Sequence, residues 1–517
     1  MTAGKRKWRG DLPALALLAL VLAVSLMVRI RLLDAPLERD EGEHAYMAQT
    51  MLQGHPPWQL AYNMKLPGTD AMYALFMAVF GQTAVAIRLG LLLVNTATIL
   101  LIALFGKRLF GMTGGAVAGA SYGILSFSQN VFGTIAHSTH FVVFFAVIAS
   151  LVLVKPGATE GRLFIAGLIY GLAFLMKQPG ICFAVCGALY VAWDSRRHRL
   201  FKRLAAFGIG VVLPYLLLCL ALWKAGVFGR FWFWTVTLSG AYVSQFSLLL
   251  RVEYFKLSIG NVVGPNLFLW ILAGLGVSMA CWNPATRRAG LWIAALLPFS
   301  FLAVALGGVF NPHYYILMFP ALALAIGASA ASERALIWLF GLACLYSMYS
   351  QRAYLFHMTP YEFSSATYGL NPFPEAVEIA DYIRSHSDPH ARIAVLGSEA
   401  EIYFYARRQA ATGYLFTYGL METHRYAERS QGEMIGEILA SRPEYIVFAG
   451  VPTSWLARPN SSQAIFYWLK DYLQQYETVG AVEIRRGERS LYTWGPEAAD
   501  FKPGNAAYLL VYRRKSS

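Results

Sequence analysis

The sequence predicts an α-helical polytopic membrane protein with about eleven spans, followed by a soluble C-terminal α/β domain. Three observations carry this expectation. Only 14% of the 517 residues are charged and 57% are hydrophobic, whereas a soluble domain carries about 25% charged residues. Apolar runs fill residues 12–350. Residues 351–517 have the mixed composition of an ordinary globular domain, so the chain divides into 1–350 and 351–517.

A spanning helix needs roughly 20 apolar residues. The candidates are 12–31, 87–105, 114–131, 138–154, 162–178, 180–193, 204–223, 267–282, 290–308, 314–330 and 334–350. Several are short and need neighbours for burial. The first follows a basic start, as a signal peptide does. No small-residue cleavage site comes after it, so it reads as an uncleaved helix.

Charge sets the orientation. Lys5, Arg6, Lys7 and Arg9 precede the first span. A cytoplasmic N-terminus places Lys107 and Arg108 inside, then Arg196, Arg197, Arg199, Lys202 and Arg203, then Arg287 and Arg288. The formal net charge of +14 is explained by these clusters between apolar runs, and no nucleic-acid partner is expected. An odd number of spans puts 351–517 outside the cytoplasm. The absence of long polar insertions points to a bacterial inner membrane.

Two outer loops, about 32–86 and 226–266, exceed the roughly 15 residues beyond which loops are usually functional or disordered. Asp70 to Phe80 is amphipathic and fits the interface. The second loop carries Phe231, Trp232, Phe233, Trp234 and Tyr242, suited to headgroup anchoring or to stacking on a sugar ring.

The tail alternates strand-like runs (Ile393–Leu396, Tyr445–Ala449, Ala481–Ile484, Tyr508–Tyr512) with helical patterns around Phe373–His386, Glu422–Ala440 and Ala464–Tyr476. This is the signature of a small α/β domain. It has no GxGxxG or GxxxxGK[ST], so no nucleotide site is expected. All five cysteines (Cys182, Cys186, Cys219, Cys281, Cys344) lie in apolar segments, which excludes a disulfide framework in the tail.

The segment richest in chemistry is Leu37-Glu38-Arg39-Asp40-Glu41-Gly42-Glu43-His44-Ala45-Tyr46, just after the first span. A helix is expected from Ala45 to Leu52, ending before Gly54. Asp40 or Glu41 suits its N-cap. Further on, Asn63-Met64-Lys65-Leu66-Pro67 supplies a cation. A carboxylate and a cation at the membrane surface are what glycosyl transfer requires. One takes a proton from the acceptor hydroxyl, and the other stabilises the departing phosphate.

Here the sequence resembles the GT-C superfamily, in the branch of protein O-mannosyltransferases and lipid A aminoarabinose transferases. The resemblance covers most of 12–350. It rests on Asp40-Glu41 with Tyr46, Lys65-Leu66-Pro67, Phe80-Gly81, Ile87-Arg88-Leu89, Lys107-Arg108-Leu109-Phe110-Gly111, Gly171 to Lys177, and Pro312-His313-Tyr314-Tyr315 before Pro320. It implies an inverting transferase with the GT-C fold. The donor would be a polyprenyl-phosphate sugar, and the acceptor an extracytoplasmic glycan, lipid or protein.

Carried over by position, Asp40 becomes the catalytic base, with Glu41 beside it. Lys65 would contact the donor phosphate, and Lys177 and Arg88 are further phosphate candidates. For Lys177 the alternative is snorkelling to the interface, and for Arg88 anchoring of the second span. Glu43, Tyr46, His137, His140, His313 and Tyr314 are candidate cavity residues.

Two features depart from the pattern. Met64 stands where some relatives have an acid, so that role is vacant or moved to Glu41, Glu43 or Asp70. His137-Ser138-Thr139-His140 stands where an acid is common. Two histidines three apart share a helix face. They suit hydrogen bonding at the interface, or a divalent metal if Asp40 or His313 adds a third ligand. No other cofactor is expected.

Two competing readings remain. A transporter or flippase of a lipid-linked glycan would place ionisable groups near the bilayer midplane in repeated halves; here they lie at helix ends, and no repeat is present. A scaffold acting through the tail leaves Asp40 and Lys65 unexplained.

Overall fold

The computed structural model describes residues 2–155, 157–195, 199–485, 488–504 and 507–515, with side chains from residue 11 onward. Of the orientation residues, Arg196 and Arg197 lie outside the described residues, and Lys5, Arg6, Lys7 and Arg9 are described in backbone only, within the first helix. The chain is an integral membrane protein. Its N-terminal part is a helical bundle, and its C-terminal part a small α/β domain.

The bundle begins with α1 (Thr2–Arg31), α2 (Arg39–Leu52), α3 (Gly68–Phe80) and α4 (Ala84–Ser126). Next come α5 (Ser138–Leu153), α6 (Glu160–Met176), α7 (Ile181–Asp194) and α8 (Leu200–Lys224). They are followed by α9 (Phe228–Trp232), α10 (Ser239–Ser244), α11 (Leu248–Val263) and α12 (Leu267–Trp282). Last are α13 (Arg287–Ala305), α14 (Phe319–Ser332) and α15 (Leu336–Ser350). Every predicted span coincides with helix, but lengths differ. Among the described residues, six helical stretches are long and apolar enough to cross a bilayer by themselves: 11–31, 84–126, 200–224, 248–282, 287–305 and 312–332. The two segments 87–105 and 114–131 form two helices that meet at Gly111, whose φ of 82° and ψ of −176° reverse the chain, so that Gly115 and Gly119 pack back against Ala103. Only glycine takes that conformation at little cost.

Residues 226–266, expected as a loop, are helical for most of their length. Two of their aromatic side chains pack on the first loop, Phe231 meeting Trp58 edge-on at 4.9 Å and Trp234 meeting Tyr62 at 5.6 Å, while Trp232 stays exposed. α11 then runs through a 3₁₀ turn into α12. The first loop likewise folds into α2 and α3. The N-cap of α2 is Glu38, not Asp40 or Glu41. Its Oε1 accepts from Glu41 N at 2.9 Å, and Glu41 answers to Glu38 N in a capping box. The helix therefore starts six residues before Ala45.

Arg88 of α4 ties this loop down. Its guanidinium donates to the carbonyls of Leu32 (3.1 Å), Ala35 (2.8 Å) and Pro36 (3.0 Å), and to Glu41 Oε2 at 2.6 Å. Glu41 Oε1 also accepts from Ala136 N at 2.8 Å. Both side chains are buried.

The C-terminal domain contains α16 (Pro360–Tyr368), α17 (Phe373–His386), β1 (Arg392–Leu396), α18 (Glu401–Ala406), β2 (Gln409–Ala410) and α19 (Ala427–Ser441). It continues with β3 (Tyr445–Gly450), α20 (Pro452–Trp455), α21 (Ala464–Tyr472), β4 (Tyr476–Ile484), β5 (Leu491–Trp494) and β6 (Ala507–Arg514). The strands form one mixed sheet in the order β2-β1-β3-β6-β4-β5, with β2, β1 and β3 parallel. The four expected strands are present. β2 and β5 are additions, one two residues long and the other on the half-exposed sheet edge.

This domain sits on the first loop. Tyr62 N donates to Gly413 O at 2.8 Å, Leu37 N to Tyr405 Oη at 2.9 Å, and Ala410 N to Tyr46 Oη at 2.8 Å. α18 lies against α2 so closely that a Cβ on Gly42 would fall 2.5 Å from Glu401 N.

Two predictions follow from these ties. Arg88→Met strands Glu41 as a buried charge and should cost about 3–5 kcal/mol. The double variant with Glu41→Gln should recover most of the loss in detergent melting temperature. Glu401 is fully buried with neither carboxyl oxygen hydrogen-bonded among the described residues. Burial, reinforced by the Glu399 charge, raises its pKa well above 4.5. The native state thus holds a proton that the unfolded chain releases, so the contribution of Glu401 to stability is fully present below pH 4.5 and is lost as pH climbs toward the raised native value. Glu401→Gln should flatten that decline in melting temperature; an unchanged slope would refute the assignment.

Candidate functional site

Asp40 and Glu43 lie one turn apart on α2 and converge on one cation. Lys65 Nζ donates to Asp40 Oδ1 at 2.8 Å and to Glu43 Oε2 at 2.6 Å. The segment that presents Lys65 is held on several sides. Lys65 N donates to the Asn63 side chain at 2.7 Å, while Asn63 O accepts from Trp58 Nε1 at 2.9 Å. Gln178 Nε2 donates to Met64 O at 2.8 Å, and Thr69 Oγ1 to Met176 O at 3.0 Å. These last two bonds seat the segment on the turn between α6 and α7. That turn carries Lys177, so both lysines reach the same cavity.

The cavity has a volume of about 300 Å³. Asp40, Glu43, Lys65, Lys177 and Tyr314 line its base. Trp234, Leu238, Tyr242 and Val243 from the α9–α10 region form one wall, and Leu306 and Val309 another. The C-terminal domain roofs it with Tyr414, Phe416, Tyr418 and His424. Lys177 Nζ stands 4.0 Å from the Tyr314 ring centroid, within cation–π range, rather than extending to an interface.

The two carboxylates differ in environment. Asp40 keeps 29% of its side chain accessible, against 3% for Glu43. Burial opposes ionisation of Asp40, but the charge of Lys65 and its hydrogen bond outweigh it and hold the carboxyl well below its usual range. For Glu43 burial prevails over Lys65, and its pKa is raised. Lys65 is itself held well above the ordinary lysine value, because Asp40 and Glu43 overcome the cost of burying it. Asp40 is therefore the ionised, accessible carboxylate.

Of the histidines, His137 and His313 come together and His140 does not join them. His137 is the N-cap of α5, with ψ at 147°, so its ring leaves the helix face expected to carry both histidines. It stacks on His313 at 3.9 Å and 13°. One donor atom each from Asp40, His137 and His313 lie within 4.8 Å of one another. His137 Nε2 and His313 Nδ1 are buried without a hydrogen-bond partner among the described residues. One carboxylate and two imidazoles suit a divalent transition metal. His140 is buried farther along α5.

Arg88, Glu41 and Tyr46 are not in the cavity lining. Arg88 is saturated by Glu41 and three carbonyls, and Tyr46 is bonded to the C-terminal domain. Glu38 escaped sequence reasoning: its carboxylate lies 3.9 Å from His137 Nδ1. The roof residues Phe416, Tyr418 and His424 also escaped, since no local pattern marks a surface formed only by docking.

Residues 63–223 match the family described as dolichyl-phosphate-mannose-protein mannosyltransferase. Over 216 residues the chain is 27% identical to an undecaprenyl phosphate-α-4-amino-4-deoxy-L-arabinose arabinosyl transferase of Pseudomonas aeruginosa (strain UCBPP-PA14). That match spans 38% of each protein. Among solved structures, ArnT from Cupriavidus metallidurans bound to undecaprenyl phosphate superposes with a TM-score of 0.61 at 15% identity, covering 96% of this chain and 97% of that one. The Archaeoglobus fulgidus oligosaccharyltransferase tethered to an acceptor peptide gives 0.51 at 13% identity, covering 95% and 75%. Across nearly its whole length, the chain shares the fold of these two structures.

Proposed function

We propose that this protein is a membrane-embedded inverting glycosyltransferase that moves a sugar from a polyprenyl-phosphate donor to an extracytoplasmic acceptor. The observation that carries the reading is the Asp40–Lys65 pair, 2.8 Å apart, opening into a cavity that Lys177 also lines. In this reading the eleven spans place the N-terminus in the cytoplasm of a bacterium, and the cavity and residues 351–517 on the outer face of its inner membrane.

The donor phosphate would lie between Lys65 and Lys177, with its chain along the apolar wall of Leu238, Val243, Leu306 and Val309. Trp234 and Tyr242 offer faces for the sugar. The acceptor oxygen attacks the anomeric carbon from the side opposite the phosphate, and its proton passes to Asp40. The bond from the anomeric carbon to the phosphate oxygen breaks, and polyprenyl phosphate leaves with the electron pair. Lys65 has two alternative partners in this scheme. When it turns to the phosphate, the Asp40 oxygen it held is left free to take the proton, so donor binding uncovers the base. Asp40, His137 and His313 would hold a divalent cation, which would supply further positive charge beside the phosphate.

The first test incubates purified protein with a panel of radiolabelled undecaprenyl-phosphate sugars, including 4-amino-4-deoxy-L-arabinose, and membrane extract as acceptor. Wild type should release undecaprenyl phosphate from one donor. Asp40→Asn should be slower by about 10²–10⁴-fold, the usual loss on removing a general base. Equal rates would eliminate Asp40 as the base. Donor binding without release in both would favour transport. A second test removes metal: dialysis against EDTA should abolish release, and Mn²⁺ or Zn²⁺ should restore it in wild type but not in His137→Ala. Full activity after chelation would remove the cation from the mechanism.

A further inference from the structure

Arg39 directly precedes Asp40, yet its side chain points away from the cavity and into the C-terminal domain. Its Nε donates to Ser398 O at 2.9 Å, and its Nη2 to Asn371 Oδ1 and Glu399 Oε1, both at 3.2 Å. Glu399 is fully buried. Its Oε2 accepts from Ser398 N at 2.7 Å, and its Oε1 also accepts from Ser454 Oγ. Arg39 is its cationic partner among the described residues.

The location is informative. Ser398 and Glu399 follow the carboxyl end of β1, and Ser454 follows that of β3, its parallel neighbour. The carboxyl ends of parallel strands are where open α/β sheets leave a crevice for ligands. Here the guanidinium of the membrane domain's own helix occupies that place. The adjacent contacts make the fit specific. Gly42 lets α18 approach α2, and Tyr46 and Leu37 bond to Ala410 and Tyr405 on either side.

We infer that Arg39 and Glu399 are positioning residues: the C-terminal domain grips Arg39 and thereby fixes the rotation of α2 that aims Asp40 at Lys65. The inference rests on the transferase reading. It makes the domain a working part of the active site rather than a cover, since a helix turn of a few tens of degrees would swing Asp40 off the reacting oxygen.

The discriminating variant is the full-length double substitution Arg39→Met/Glu399→Gln. It removes both buried charges together and so is near neutral for stability. It should melt within a few degrees of wild type. With the undecaprenyl-phosphate sugar selected by the panel, its turnover should fall about 10–100-fold, as expected for a misplaced catalytic group, with KM for that donor changed less than about two-fold. Arg39→Ala should be partly rescued by millimolar guanidinium ion. Hydrogen exchange in α2 should quicken in each variant, and this readout needs no turnover. Wild-type turnover in the double variant, or unchanged α2 exchange, overturns the inference. A wild type that turns over no donor while α2 exchange responds as described would sink only the transferase reading.

Discussion

Everything in this site depends on one lysine held between two carboxylates. Burying a cation with two carboxyl groups is unfavourable unless each is paired and hydrogen-bonded, and Lys65 meets that condition for both Asp40 and Glu43. In the proposed mechanism a bound phosphate draws Lys65 away, so the resting pair holds the Asp40 oxygen and donor arrival frees it.

The helix that carries these groups uses successive residues for different tasks. Since each position is turned by about 100° from the last in an α-helix, Arg39, Asp40, Glu41, Gly42 and Glu43 address separate partners. Arg39 enters the α/β domain, Asp40 faces the cavity, and Glu41 pins Arg88 in the membrane bundle. Gly42 admits α18, and Glu43 steadies Lys65. A run of charges that looks like a solvated surface is thus almost entirely interior.

Much of this was legible beforehand because membrane burial writes itself into composition. The apolar segments of residues 12–350 are helical, and the resemblance drew attention to Asp40 and Lys65, which the fold brings into contact. What stayed hidden has physical reasons. The turn at Gly111 was shorter than the interval between the two apolar segments suggested, because one glycine at positive φ reverses the chain. The aromatic stretch after Gly226 lacked a clean period because its partners, Trp58 and Tyr62, come from the first loop. His137 and His140 seemed a pair until the helix was found to begin at Ser138, which frees the first ring to stack on His313. Arg88 carries the right charge for phosphate, but its hydrogen bonds are already used by the backbone it supports. Burial of that kind depends on contacts distant in sequence.

The grip on Arg39 also has a consequence for how the protein is made. Its partner Glu399 lies 360 positions later in the chain. At about 5–20 residues per second, the ribosome needs roughly 20–70 s to supply it. During that interval the membrane bundle can insert and close around α2, while the buried carboxylate that orients the helix has not yet been translated. The active arrangement is therefore unavailable to any nascent or truncated chain. In the transferase reading, a stalled ribosome would leave an inserted bundle unable to discharge sugar from its polyprenyl-phosphate donor.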